Sequence, residues 1–186
     1  MNQKKGVSRT TEVRRIPHLN GPHELLELFY PIHYTVGMTI EDTLRSGKAL
    51  NRHQTVIMWL IRSQGVDGKL MRRKFVEKAM MDWFEITSSS VSKALRAMSK
   101  PPLGLIQIME DPDSGREKLI KLTPKGERFM LQMVTNGQAL MRWAIDYMTP
   151  EEVDMGVHFL SLVARIFENA PRPREESDQD RTAPAR

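Results

Sequence analysis

The stretch from Thr87 to Thr123 restricts this chain most tightly, because it writes a short helix with a polar outer face and then, almost at once, a β-hairpin. In Thr87-Ser88-Ser89-Ser90-Val91-Ser92-Lys93-Ala94-Leu95-Arg96-Ala97-Met98, the residues Val91, Leu95 and Met98 recur at helical spacing and make one narrow apolar stripe. The remaining face is small hydroxyls and cations. Thr87 is placed to be the N-cap, its hydroxyl accepting from a first-turn amide, so that Ser88 to Ser90 sit at the electropositive end of the helix, where anions are favoured. Two β-rich runs follow, Leu105 to Glu110 and Glu117 to Leu122, and they flank the turn residues Asp111-Pro112-Asp113-Ser114-Gly115-Arg116. Arg116 and Lys118 then lie at or near the hairpin tip. A hairpin alone fits ordinary solubilising charge equally well; placed directly after a capped, hydroxyl-rich helix, it suggests a winged helix that holds DNA.

Charge follows the same stretch. The net charge of the 186 residues is +5, but cations exceed anions in residues 1 to 21, with Lys4, Lys5, Arg9, Arg14 and Arg15 against Glu12, and again in residues 62 to 123. That is the footprint expected for phosphate contact, although a basic tail is also simply solvated. A content of 40% hydrophobic and 27% charged residues is ordinary for a globular protein with one core. There are no cysteines, which rules out disulfides, thiolate metal sites and a cysteine redox switch. No apolar run reaches the length of a membrane span, and the polar, basic start lacks the apolar core of a signal peptide, so a cytoplasmic location without membrane partners is expected.

The rest of the chain reads as helices. Leu25, Leu28, Phe29, Ile32, Val36, Ile40 and Leu44 form a helical stripe from Pro22 to Ser46 that Pro31 should kink or interrupt. Asn51 and Gln54 have capping-box spacing before Val56, Ile57, Leu60 and Ile61, and this helix should end near Gly65. Asp67 is the candidate cap of a further helix carrying Leu70, Phe75, Val76, Ala79 and Met80, with Lys69, Arg72, Arg73, Lys74 and Lys78 on its exposed face. Thr123-Pro124 and Thr149-Pro150-Glu151-Glu152 open two more helices. The first has a seam of Phe129, Met133, Asn136, Leu140, Trp143 and Tyr147, and the second carries Val153, Val157, Leu160, Val163 and Phe167. Such stripes are usually core, but too few other elements remain to cover them, which makes a homodimer interface a serious competitor. Residues 170 to 186 lack apolar anchors and read as a disordered tail.

The order of elements and the residues themselves resemble the multiple antibiotic resistance regulator (MarR) family of winged helix-turn-helix transcription factors, over roughly residues 22 to 169. The sharpest motifs are Ile86-Thr87-Ser88-Ser89-Ser90-Val91-Ser92-Lys93-Ala94-Leu95, similar to the recognition helix, and Asp111 to Arg116 followed by Lys121-Leu122-Thr123-Pro124-Lys125-Gly126, similar to the wing and its exit into a dimerisation helix. Where the family commonly has glycine before the recognition helix, this chain has Glu85. The resemblance implies a mainly α fold with a small β-hairpin wing. It divides the chain into a basic arm (1–21), a winged-helix regulator domain (22–169) and the tail (170–186), with a DNA-binding lobe at 51–123 between dimerisation helices at 22–50 and 124–169. It further implies a homodimeric, sequence-specific regulator of transcription, most simply a repressor, on a palindromic operator of double-stranded DNA.

Ser88, Ser89, Ser90, Ser92, Lys93 and Arg96 are the candidates for the major groove, where hydroxyls reach phosphate or base edges and the cations donate to guanine. Arg116 is the candidate for the minor groove, with a salt bridge to Asp113 as its alternative, and Lys118 lies beside it. Lys69, Arg72 and Arg73 are candidates for backbone phosphates. The resemblance also places a small, partly apolar effector near Tyr30, His33, Tyr34 and Trp59, residues that serve equally well as packing. The histidines His18, His23, His33, His53 and His158 never stand at metal-ligand spacing with carboxylates; His158 on its apolar helix suggests a core residue. No phosphate loop or dinucleotide fingerprint occurs, so no enzyme, cofactor or metal is expected. A winged-helix protein-interaction adaptor without DNA binding is the alternative from another class.

Overall fold

The computed structural model describes residues 21–45 and 47–170. The basic arm and the tail therefore lie outside the described residues, except for Gly21, which begins the first helix, and Ala170, which caps the last. The elements run α1 (Gly21–Pro31), a π-helical turn (Ile32–Gly37), α2 (Met38–Leu44), α3 (Arg52–Gln64), β1 (Leu70–Arg72), α4 (Arg73–Phe84), α5 (Ser88–Ser99), β2 (Ile106–Asp111), β3 (Ser114–Leu122), α6 (Pro124–Ile145) and α7 (Pro150–Asn169). The fold is mainly helical with one small antiparallel sheet, as expected.

Residues His23–Ala144 form one compact unit. Its core is one contiguous cluster, to which α3 gives Ile57, Met58, Leu60 and Ile61, α4 gives Val76 and Met80, and α5 gives Val91, Leu95 and Met98. The sheet adds Ile106, Ile120 and Leu122, and α6 adds Met130 and Met133. Local signals position these helices. Asn51 and Gln54 form a reciprocal capping box, each backbone N–H donating to the other's side chain at 3.0 Å. Gly65 ends α3 at a crowded point, since a Cβ there would collide with the carbonyls of Ile61 and Leu70. Pro31 ends α1, and the chain passes through the π-helical turn before α2 resumes; an interrupted helix is what a residue without an N–H produces.

One element differs from expectation. Leu70–Arg72 is a strand, not the start of a helix, and the helix opens at Arg73. β1 pairs antiparallel with β3, Leu70 opposite Lys121 and Arg72 opposite Leu119, and β3 pairs with β2 in the order β1-β3-β2. A run of three residues with Met71 buried cannot show strand alternation, and Asp67, the expected cap, instead takes a left-handed φ of 51° in the preceding turn. The hairpin tip is also tighter than its turn residues suggest: Asp111 lies opposite Ser114, leaving Pro112 and Asp113 as the loop, so Arg116 stands on β3 just past the tip.

Residues Ile145–Ala170 belong to a second unit. Here α7 begins at a second capping box, Glu152 N–H to Thr149 Oγ1 at 3.3 Å and Thr149 N–H to Glu152 Oε2 at 2.8 Å. None of its residues is buried: Met155, Val157, Leu160 and Phe167 are exposed, and so is His158, which is therefore not the core histidine expected.

Candidate nucleic-acid interface

The site is built on α5. Thr87 caps it as expected, its Oγ1 accepting from the Ser90 N–H at 3.2 Å. With Val91, Leu95 and Met98 buried, the opposite face is forced outward, and Ser88, Ser89, Ser90, Lys93 and Arg96 are exposed along it. The helix N-terminus thus offers unpaired amides and short hydroxyls, with longer cations one turn further on.

The turn into α5 depends on Glu85. It adopts the left-handed conformation, φ 52° and ψ 29°, and its N–H donates to Met81 O at 3.1 Å. This is the conformation that glycine takes without steric cost, so the turn forms here at the expense of strain in a side chain-bearing residue.

Ion pairing sorts the candidate cations. Arg73 donates through Nε and Nη2 to Glu77 Oε1 at 3.0 and 2.6 Å, and Nη2 also donates to Ser92 Oγ at 2.7 Å. Ser92 is consequently half-buried and tied to α4, while Ser88 Oγ reaches the same Glu77 oxygen at 3.4 Å. Arg72 faces Asp111 and Glu117, Lys74 pairs with Glu117, and Lys78 pairs with Asp82. Lys69 donates to Glu127 at 2.8 Å, and that hydrogen bond and charge raise its pKa above the ordinary lysine value. The row read from sequence as an exposed basic face is thus neutralised by carboxylates: Glu77 and Asp82 stand one helical turn from Arg73 and Lys78, while the partners of Lys69, Arg72 and Lys74 arrive from sequence distances no local pattern reveals.

By contrast, Lys93, Arg116 and Lys118 have no ion pair among the described residues. The Arg116–Asp113 bridge is not formed; Asp113 instead donates its N–H to Asp111 Oδ1 at 3.0 Å. Arg116 and Lys118 border a shallow groove of about 260 Å³ shared with Arg73, Lys74, Glu77 and Glu117, which runs between the wing and the start of α4. The arrangement offers unneutralised cations on two separate protrusions, the wing and α5, and donors suited to a phosphate backbone.

The effector candidates are only partly brought together. Tyr30 and Tyr34 meet as tilted rings, 44° apart in plane and 4.7 Å between centroids, and His33 meets Tyr34 edge-on at 4.6 Å. Trp59, half-exposed on α3, is in neither of these ring contacts. No group of three or more potential metal-ligating side chains occurs among the described residues, and no helix among them is long and apolar enough to cross a membrane.

Residues 50–126 match the winged helix DNA-binding domain family. No curated protein sequence matches the chain. Among solved structures, a MarR family protein from Bacillus stearothermophilus superposes with a TM-score of 0.65 at 16% identity, covering 79% of this chain and 95% of that one. Sco3205, a MarR family transcriptional regulator from Streptomyces coelicolor in complex with DNA, has a TM-score of 0.56 at 18% identity, covering 84% and 95%. BpsR of Bordetella bronchiseptica, whose DNA binding is regulated by 6-hydroxynicotinic acid, has a TM-score of 0.51 at 22% identity, covering 76% and 97%. The chain has the winged helix fold of the MarR regulators.

Proposed function

We propose that this protein is a sequence-specific double-stranded DNA-binding regulator of transcription that acts as a homodimer on an operator with inverted half-sites. The observation that carries the reading is the sorting of charge: on a matched winged-helix domain, Lys93, Arg116 and Lys118 have no ion pair among the described residues while the cations beside them are neutralised. Ser88, Ser89, Ser90, Lys93 and Arg96 are assigned to the major groove and Arg116 to the minor groove, with Lys118 on the adjoining backbone. Occupying a promoter and excluding polymerase makes repression the simplest outcome.

The dimer reading is supported by apolar surface left in water. On α1, Leu25, Leu26, Leu28 and Phe29 are exposed, and α7 has no buried residue. Exposed apolar surface costs about 25 cal/mol per Å², so faces of this kind favour a partner, and a second copy supplies a self-complementary one. The Tyr30–His33–Tyr34 cluster is assigned as the contact for a small aromatic acid, a reading supported by the effector of the BpsR relative.

The test is selection of duplexes from a random library with the full chain, followed by gel shift over a salt series. The expected result is an enriched inverted repeat with half-sites about 10 base pairs apart, bound far more tightly than random duplex. Absence of any enriched sequence, with no salt-dependent binding, would favour the adaptor reading.

A further inference from the structure

Arg72 stands where a helix N-cap belongs, but its side chain makes no capping hydrogen bond. Such positions normally carry Ser, Thr, Asp or Asn, which satisfy a first-turn amide. Here the guanidinium turns to the sheet, its Nε lying 3.2 Å from Asp111 Oδ2 and 3.5 Å from Glu117 Oε2. The strand register explains the convergence. Arg72 and Met109 both lie opposite Leu119, so Glu117, two residues along β3, shares that face, and Asp111 enters it after the irregularity at Glu110/Asp111. We propose that Arg72 is a positioning residue for the wing, acting through Asp111, rather than a phosphate contact. This rests on the DNA-binding reading above.

Burial makes Asp111 the sensitive partner. Its side chain is 3% exposed against 43% for Arg72, and its Oδ2 is out of contact with solvent. Among the described residues Arg72 is its one ion-pair partner, whereas Glu117 also has Lys74. Its other oxygen, Oδ1, accepts from the Asp113 N–H at 3.0 Å and so shapes the hairpin tip. Losing Arg72 strands a buried carboxylate, which regains hydration only if the tip lifts from the sheet. Arg116 and Lys118 follow that tip directly on β3 and move with it.

The neighbouring residue holds the other DNA-facing element. Arg73 binds Glu77 and Ser92 and thereby ties α5 to the start of α4. Two consecutive side chains therefore fasten the wing and the recognition helix to one point, which sets the distance between the elements that enter neighbouring grooves. Contacts that hold register act on specificity through geometry even when they never touch DNA.

The test uses the full chain with Arg72→Gln, Asp111→Asn, both together, and Arg72→Lys. Affinity is measured over a salt series for the duplex that the unsubstituted chain enriches from a random library and for a random-sequence duplex of equal length. Asp111→Asn removes a negative charge from a DNA-facing lobe, so simple electrostatics predicts tighter binding. Positioning predicts the opposite: about tenfold or greater loss on the enriched duplex, little change on the random one, and a double variant no worse than the poorer single. Arg72→Lys keeps the charge and restores most of the loss. The inference is overturned if Asp111→Asn binds as well or better while Arg72→Gln weakens both duplexes alike and lowers the salt slope by about one, the behaviour of a phosphate contact. A second readout needs no DNA. The chain has no cysteines, so nitroxides on Ser114→Cys and Lys100→Cys, in labelled chain diluted with an excess of unlabelled chain to make pairs across the proposed dimer rare, report the wing-to-α5 distance. Asp111→Asn should broaden that distribution, and an unchanged distribution refutes positioning. If no duplex is enriched, the DNA-binding reading fails, and the label distances still decide whether Arg72 holds the wing.

Discussion

At the scale of single residues, the sign and partner of each charge decide its role. Arg116 and Lys93 are exposed and have no ion pair among the described residues, which is why the proposed function gives them to DNA, whereas Arg73 is committed to Glu77 and Ser92. Arg116→Ala is therefore expected to weaken operator binding and lower the salt slope by about one unit. Lys93→Ala is expected to cost about 1 to 3 kcal/mol if the lysine reads a base, with Ser89→Ala and Ser90→Ala milder. An unaltered salt slope for Arg116→Ala would place that side chain off the DNA. Glu85 makes a prediction of a different kind. Its left-handed conformation stores strain that glycine relieves, partly offset by the greater freedom of glycine in the unfolded chain. Thermal or urea unfolding of Glu85→Gly should show a gain of about 0.5 to 1 kcal/mol with no loss of DNA affinity.

Elements were legible where their determinants are local. The capping residues Asn51, Thr87 and Thr149 were readable because a cap acts within three residues, and the Val91, Leu95 and Met98 stripe because helical period is written in one turn after another. β1 was not legible, because its strand character comes from pairing with β3, some fifty residues away in sequence. The same distance hid the ion pairs of Arg72 and Lys74 with Asp111 and Glu117. The motif Leu122-Thr123-Pro124-Lys125-Gly126 was recognisable as a pattern, and the structure supplies its reason. Thr123 Oγ1 accepts from the Gly126 N–H at 3.0 Å and donates to Gly104 O at 2.8 Å, while Thr123 N–H donates to Leu105 O at 3.0 Å. Gly126 lies so close to the Leu105 carbonyl that any Cβ would overlap it. Gly126→Ala should therefore destabilise by at least about 2 kcal/mol, because backbone rather than a side chain must move. Gly137→Ala, deeper in α6, meets only the flexible Leu44 Cδ2 at 3.1 Å, and its gain in helix propensity of about 1 kcal/mol should leave it near neutral. Equal effects at the two positions, measured by urea unfolding, would refute the close-approach account.

At the scale of the whole molecule, the proposed homodimer requires that two copies present their winged helices at a spacing that fits successive major grooves, and regulation follows if a ligand favours a different spacing. The exposed Tyr30–His33–Tyr34 cluster lies where α1 gives way to the π-helical turn, a break in regular helix at which a small change in packing shifts the direction of the chain. Aromatic faces with hydroxyl and imidazole tips suit a planar aromatic acid, stacked on a ring and hydrogen-bonded through its carboxylate. A ligand that shifts the spacing must bind free and DNA-bound protein with different affinity, and linkage requires that DNA change ligand affinity by the same factor. On the proposed effector reading, titration with 6-hydroxynicotinic acid and related aromatic acids at millimolar concentration is expected to weaken operator binding and raise the melting temperature of the free protein. Tyr34→Ala should reduce both effects together, since one binding event causes them. A change in operator affinity without a matching change in thermal stability would mean that the acid competes for the DNA-binding cations rather than binding the aromatic cluster. No change in either would leave the abundance of the protein, or a partner protein, as the regulator.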